Sequence, residues 1–476
     1  MARRTKIVAT IGPASDQPKV LRDMIDAGMD VARISLSHGS IEEALGRYER
    51  VRAASAEAGR RIGVLIDLPG PKVRAASFPE GGSLLDDDMV LEMRVGHDAS
   101  NHQVVEIDYP DLLRDIAAGD ILAFGDGQVT FEVTDVGPDA AKIRIVHGGH
   151  LRGRPGVRIP SDRLSAATPT DDDFRMLDAF VDVGVDMVAL SFVRSGHDVR
   201  RVGTEPHPRG PLIISKIETR AAVDNLAGII EASAGIMVAR GDLGTECDIA
   251  ELPHLQKHII RECIAGGLPV ITATQMLDSM VHAPIPTRAE ASDVANAVFD
   301  GTSAVMLSAE TAIGEHPALV VSTMARIAQR ADEEFDYRRW GETVSELRLS
   351  ARTDPAASIT DAMTMAAWRA AAQLDVAALL CISGSGFTVR SMARFRPRAK
   401  ILGMSTNPRT VQQLTMSWGV TPMQIESEWS YEYRAAKAVE EAKRAGHVRP
   451  GDLVGVLAGI TPESQATDVF RLLRVP

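Results

Sequence analysis

The sequence predicts an α/β protein: a (β/α)8 barrel of the TIM type, a small β-barrel lid domain inserted into it, and a C-terminal open α/β domain. Three observations carry that reading. Short apolar runs recur eight times over residues 1 to about 338, each leading into polar or glycine residues and then a helical pattern. One connection, between the third and fourth runs, is about 115 residues long, too long for a structureless loop in a compact domain. After a charged stretch ending near residue 355, helix and strand patterns alternate again.

In chain order the eight runs are KIVATIG at 6–12, VARISLS at 31–37, GVLIDLPG at 63–70, MVALSF at 187–192, LIISKIE at 212–218, GIMVARGD at 235–242, PVITATQ at 269–275 and AVMLSAET at 304–311. Between them lie amphipathic segments, such as VLRDMIDAGMD with Leu21, Met24 and Ile25 on one face, and IEEALGRYERVRAASAEAG at 41–59. The long insertion contains VLEMRV, QVVEI, DILAF, QVTFEV and AKIRIV, alternating segments broken by Gly, Asp and Asn, which predict an antiparallel β barrel. It leaves the carboxyl end of a barrel strand, where such barrels keep their active sites, so a lid is its natural role. The stretch TEPHPRGP at 204–211 reads as a loop, and EEFDYRRWGETVSELRLSARTDP as a boundary. The expected division is barrel at 1–70 and 169–340, lid at 71–168 and C-terminal domain at 350–476.

Length and composition bound the function. The 476 residues suit two to four domains, and 45% hydrophobic with 24% charged residues is the balance of a globular protein. Asp plus Glu number 64 against 52 Lys plus Arg, a formal charge of −12 that argues against a general binder of nucleic acid or anionic membranes. Cys247, Cys263 and Cys381 are too scattered for a disulfide framework or a CxxC metal site. No apolar run reaches the ~18 residues of a membrane span, and MARRTKIVAT passes directly into a strand, so neither signal peptide nor anchor is read and a cytoplasmic location is expected. GxxxxGK[ST], HExxH, GxSxG and a Rossmann GxGxxG are all missing.

If the barrel forms, the carboxyl ends of its strands share one mouth. There stand Arg33, Ser35 and Ser37 (second strand), Asp67 (third), Ser191 (fourth), Lys216 and Glu218 (fifth), Arg240, Gly241 and Asp242 (sixth), Thr274 and Gln275 (seventh), and Ser308 and Glu310 (eighth). Lys216 and Glu218, two apart on a strand, point the same way. Glu218 and Asp242 on adjacent strands make a pair of hard oxygen ligands suited to Mg²⁺, and Lys216 beside them can offset charge on a phosphoryl group in transit. The Gly241 and Asp242 amides open a helical segment and suit an anion; Arg33 is either a phosphate fork or the ion-pair partner of Asp67. His38, after the second strand, reads as a brace for its loop rather than a proton carrier.

TKIVATIGPAS, GMDVARISLSHG, SKIE, MVARGDLG, ATQMLDSM and PTRAEASDVANAVFDGT closely resemble the signature segments of the pyruvate kinase family, and the likeness runs through essentially the whole chain. It implies phosphoryl transfer from phosphoenolpyruvate to ADP, with Mg²⁺, or Mn²⁺ in its place, on Glu218 and Asp242. By the same resemblance Lys216 stabilises the transition state. Arg33, Gly241, Asp242 and Thr274 contact phosphoenolpyruvate, and Thr274 orders the proton relay to the enolate. Arg33, His38, Arg74 and the lid residue Asp126 face the nucleotide. A homotetramer and a phosphorylated allosteric effector are implied likewise.

The departures are informative. Many family members read DTKGPEIR and need K⁺; here the segment is DLPGPKVR, Asp67 to Arg74, with Ser35 at the position of an Asn. Lys72 with Leu68 resembles the K⁺-independent branch, since a tethered ammonium carries the ion's single charge into the Ser35, Ser37, Asp67 region. In RPGVRIP, Pro155 and Arg158 replace the family's basic residue and Asn, so Arg154 or Arg158 is expected to take over nucleotide contact; Gly125 and Ala309 are further changes. SGSGFT at 383–388, with Ser383, Ser385, Gly386 and Thr388, sits where the family binds a phosphorylated effector. Phe387 in place of a basic residue, and QATD at 465–468, favour a sugar monophosphate or AMP over fructose bisphosphate. The competing readings are a catalytically weakened paralogue that binds phosphoenolpyruvate or nucleotide as a regulator, and a Mg²⁺-dependent lyase.

Overall fold

A computed structural model describes residues 2–125, 127–160, 163–349, 355–426, 431–459 and 466–476. Eight parallel strands close into a barrel: Lys6–Thr10, Val31–Ser35, Gly63–Leu68, Met187–Leu190, Leu212–Ile217, Gly235–Ala239, Val270–Ala273 and Ala304–Leu307. They stand in sequence order, and the first returns to pair with the eighth from Lys6↔Ala304 to Ala9↔Leu307. All eight expected runs are therefore strands of one closed ladder.

The two-residue period of a strand divides the buried residues into two cores. Val8, Val31, Leu65, Met187, Ile214, Met237 and Ile271 fill the barrel interior, while Ile7, Ala32, Val64, Val188, Ile236 and Val270 pack outward against the helices. Each such aliphatic side chain contributes about 1.5–3 kcal/mol relative to exposure. The helices start where their chemistry dictates. Ser40 caps Ile41–Glu57, accepting from the Glu43 amide at 3.2 Å, and Thr170 and Thr287 build the same reciprocal box with Asp173 and Glu290.

The insertion folds as a six-stranded, mostly antiparallel sheet, in the order Val157–Arg158, Ile121–Phe124, Val129–Val136, Ala141–His147, Val90–Val95 and Val104–Ile107. Its ladder is open where a closed barrel was expected. Residues 74 and 75 span the gap, Arg74 bridging to Gly156 at one edge and Ala75 to Ile107 at the other, so the sheet still wraps one apolar core. The hinge into this domain is Gly70, at φ +66°, where a Cβ would lie 3.1 Å from the Ser191 carbonyl oxygen.

The C-terminal sheet runs Val420–Gln424, Lys400–Ser405, Ala378–Ile382, Leu453–Ala458 and Val469–Arg474, parallel except for the last. The charged stretch expected as a boundary is largely helical, Tyr337–Leu349. Arg396 locks this domain to the barrel floor: its guanidinium donates to the Thr302 carbonyl at 2.7 Å and stacks on Phe335, Trp340 and Trp418. Among the described residues no helix is long and apolar enough to cross a membrane.

Candidate active site

The fold brings the expected mouth residues together. Asp67, buried at the end of the third strand, accepts from Arg33 Nε at 2.7 Å and lies 3.3 Å from Lys216 Nζ. Burial alone would raise its pKa; Lys216 and Arg33 outweigh that and hold it down to about 2. Arg33 thus makes the ion pair foreseen as its alternative role, and its Nη1 donates to Thr10 Oγ1 at 2.9 Å. Lys216 is pinned by Ser191 Oγ at 2.7 Å and Glu218 Oε1 at 2.8 Å. Burial would discharge its ammonium, but Asp67 and Glu218 raise its pKa above the ordinary lysine value, so it stays charged.

Glu218 is fully buried; one oxygen accepts from the Phe192 amide at 2.7 Å. The other, Oε1, is ion-paired with Lys216 but out of hydrogen-bond alignment, and has no hydrogen-bond partner. Burial, opposed by Lys216 and reinforced by Asp242, pushes the Glu218 pKa above the ordinary carboxylate value. A buried oxygen without a hydrogen bond, beside a second carboxylate, fits a divalent cation. Among the described residues no three His, Cys, Asp or Glu side chains converge on one point, so an ion there would complete its shell with substrate and water oxygens.

The seventh strand ends in strain. Thr274 and Gln275 both adopt left-handed conformations, φ +67° and +53°, which for a β-branched residue marks a site held by its surroundings. Arg240 does the holding: it donates to the Ala273 carbonyl at 3.2 Å and the Thr274 carbonyl at 2.7 Å, and is anchored by Asp293 at 2.7 Å. The Thr274 hydroxyl accepts the Gly241 amide at 2.8 Å. The Gly241 N–H expected to face an anion is therefore engaged within the protein. The role of Arg240 was not legible in the sequence, where ARGD gave no sign that its side chain turns back onto the next strand.

The lid and hinge residues divide. Lys72 Nζ donates to Ser37 Oγ at 2.6 Å, and Ser35 stands in register with Asp67 beside the buried Leu68. Arg74 lies in the hinge and donates to the Arg154 carbonyl at 3.2 Å. His38 is exposed, and slight burial together with Lys72 and Arg74 lowers its pKa, so it is neutral at pH 7. Asp126 lies outside the described residues. Of the two arginines expected on the nucleotide, Arg154 pairs with Asp108 of the lid itself, and Arg158 reaches across to Asp242, Nη2–Oδ1 2.7 Å. Neither stands free for a nucleotide; each has found the nearest carboxylate.

Far from this mouth, the Ser383–Thr388 loop is partly self-satisfied. Ser385 Oγ accepts the Phe387 amide at 3.4 Å, and Gly386 is left-handed at φ +79°. The Thr388 hydroxyl is bonded to Thr467 at 2.6 Å rather than presented to the loop. Arg390, buried beneath, donates to the Ser385 carbonyl at 3.0 Å, and its Nη1 has no hydrogen-bond partner.

Comparison with known proteins agrees with this architecture. Residues 2–321 match the family model described as pyruvate kinase, barrel domain, and residues 361–473 that described as pyruvate kinase, alpha/beta domain. The chain is 38% identical to the pyruvate kinase of Bacillus licheniformis over 476 residues, 99% of this chain and 80% of that one. The Geobacillus stearothermophilus enzyme gives 38% over 478 residues with the same coverage, and the Methylorubrum extorquens enzyme 37% over 459 residues, 96% and 94%. This chain belongs to the pyruvate kinase family. It is an enzyme, a phosphotransferase, and the polar mouth of its barrel is where a pyruvate kinase would be expected to work.

Proposed function

We propose that this pyruvate kinase transfers the phosphoryl group of phosphoenolpyruvate to ADP with Mg²⁺, or Mn²⁺ in its place, on Glu218 and Asp242. The observation that carries this assignment is the buried Oε1 of Glu218, ion-paired with Lys216 but with no well-aligned donor, next to a second carboxylate. When bound, the cation supplies charge neutralisation at the phosphoryl oxygens. The P–O bond to the enol oxygen breaks as a bond to the ADP β-phosphate oxygen forms, and the enolate left behind takes a proton at carbon to give pyruvate.

The chain's own residues divide the remaining work. Lys216, kept charged by Asp67 and Glu218, faces the charge that spreads over the transferring group. Arg33 commits Nε and Nη1 to Asp67 and Thr10, which fixes its plane and leaves Nη2 for a phosphate oxygen. Thr274, held by Arg240, offers its hydroxyl to the proton path, and its bond to the Gly241 amide opens when substrate takes that amide. Arg74 and the loop of His38 line the nucleotide side.

Lys72 replaces K⁺. Its ammonium reaches Ser37; burial and the neighbouring Lys216 lower its pKa, while Asp67 and Glu218 favour the charged form, and the Ser37 contact supports a tethered cation at this place in the mouth. The Ser383–Thr388 loop binds a phosphorylated effector, a sugar monophosphate or AMP, through backbone amides and the spare Nη1 of Arg390. Homotetrameric assembly and a cytoplasmic setting rest on the family resemblance. The decisive assay measures pyruvate and ATP from phosphoenolpyruvate with ADP, Mg²⁺ and K⁺ omitted in turn. Turnover that persists without ADP or without any divalent ion defeats the proposal, as does a Glu218→Gln enzyme that keeps full activity.

A further inference from the structure

The contact that the sequence did not foresee is the one between lid and barrel. Arg158 stands on the short lid strand Val157–Arg158, and its guanidinium grips Asp242 twice: Nη2 to Oδ1 at 2.7 Å and Nη1 to the backbone carbonyl at 2.5 Å. Its side chain is 19% exposed and that of Asp242 35%. One of these bonds is guanidinium to carboxylate and the other guanidinium to carbonyl, and a charge-assisted pair of this kind, half-buried, is stronger than a neutral hydrogen bond.

Each carboxylate there already has a cationic partner without any added ion. Asp67 is paired with Arg33 and Lys216, Glu218 with Lys216, and Asp242 with Arg158. A divalent cation entering between Glu218 and Asp242 would meet Arg158 on an oxygen it needs. Arg158 is the only one of the three cations carried by the lid. The other two belong to barrel strands and cannot withdraw.

We propose that Arg158 is a displaceable stand-in for the divalent cation, latching the lid to Asp242 until the metal arrives, so that metal binding and lid release are a single event. Once displaced, the guanidinium remains on the lid, opposite the mouth, free to meet the phosphates of an incoming nucleotide. This inference rests on the assignment of Glu218 and Asp242 as the metal carboxylates, and it makes Arg158 a positioning residue.

Binding of Mn²⁺ alone, followed by electron paramagnetic resonance without substrates, tests it. Arg158→Asn removes the competing charge, and Mn²⁺ should bind about 10- to 100-fold more tightly than to the native enzyme. Arg158→Lys, with a single contact in place of two, should fall between them and guards against a folding defect in the first variant. Hydrogen exchange gives the second readout: Mn²⁺ should speed exchange of lid amides around Val157 in the native enzyme, and leave Arg158→Asn, already unlatched, unchanged. Equal or weaker Mn²⁺ binding in Arg158→Asn, or a lid whose exchange ignores Mn²⁺, overturns the latch. Glu218→Gln separates the two levels: if it leaves Mn²⁺ binding intact, the metal assignment itself fails; if it abolishes binding while Arg158→Asn changes nothing, only the latch fails.

Discussion

Thr274 carries a strain whose size can be worked out and whose release can be measured. At φ +67° its β-branched side chain costs about 1–2 kcal/mol relative to an ordinary conformation. Its hydroxyl returns about 1 kcal/mol by accepting the Gly241 amide at 2.8 Å. Thr274→Gly gives up that bond and adds about 0.5–1 kcal/mol of unfolded-state entropy, but removes the strain, so its stability should stay within about 1 kcal/mol of the native enzyme. Thr274→Ala gives up the same bond and keeps most of the strain, so it should be the less stable variant by about 0.5–1 kcal/mol, an inversion of the usual order in which Ala outranks Gly. Thermal denaturation of the two variants side by side reads that inversion. Pyruvate formation reads the function: with the hydroxyl gone from the proton path, kcat should fall about 100-fold or more in both. An alanine variant as stable as the glycine one would refute the stored strain, and a kcat within a few-fold of native in either would refute the role of the hydroxyl.

Lys216→Met should lower ATP formation at least ~100-fold, because it removes the one buried cation facing the transferring group while Arg33 still holds Asp67; near-native turnover in a coupled assay would end that assignment. Native enzyme in potassium-free buffer should keep its turnover, whereas Lys72→Glu should need added KCl; a native enzyme that is silent without K⁺ contradicts the substitution of ammonium for ion. His207 lies 3.4 Å from Arg390 and is pushed down to about 4 by burial, with that guanidinium adding to the effect. A histidine whose folded pKa lies below the unfolded value of about 6.5 costs stability as pH falls between the two, by at most about 3 kcal/mol here. The melting temperature should therefore drop between pH 7 and pH 4.5, and His207→Gln should flatten that part of the drop; an unchanged profile in the variant excludes His207 as its source.

The fold was legible because its signal is periodic and repeated. Each barrel strand is apolar on both faces and all but the third lead directly into a helix, so an error in one element would not have hidden the other seven. The lid was legible as an insertion by its length, yet its ladder closes through two isolated bridges at Arg74 and Ala75 that no alternation pattern announces. In the site, Lys216 and Glu218 could be aligned on paper because strand geometry decides which way their side chains point, and the Arg33–Asp67 pair stood as one of two roles for Arg33. Contacts made by long side chains across elements were not legible. Arg240 folding back onto the Thr274 carbonyl and Arg158 crossing from lid to Asp242 depend on where separate elements come to rest, which neither spacing nor composition encodes.

The distribution of charge explains why an acidic protein can hold two polyanionic substrates. The chain carries −12 overall. At the barrel mouth the cations outnumber the carboxylates: Arg33, Lys72, Arg74, Arg158, Lys216 and Arg240 against Asp67, Glu218, Asp242 and Glu310. Charges on the exterior are screened over about 8 Å at physiological ionic strength, while Asp67, Lys216 and Glu218 face one another through buried, poorly screened space. A phosphate entering the mouth therefore meets the local surplus of cations rather than the global surplus of acid. Arg33 and Lys216 stand on barrel strands and Lys72 on the connection into the lid, whereas Arg74 and Arg158 belong to the lid's own ladder. A site that must admit a divalent ion and then two anions needs one charge it can withdraw, and the sheet that carries Arg158 is the part of the fold hinged at Gly70.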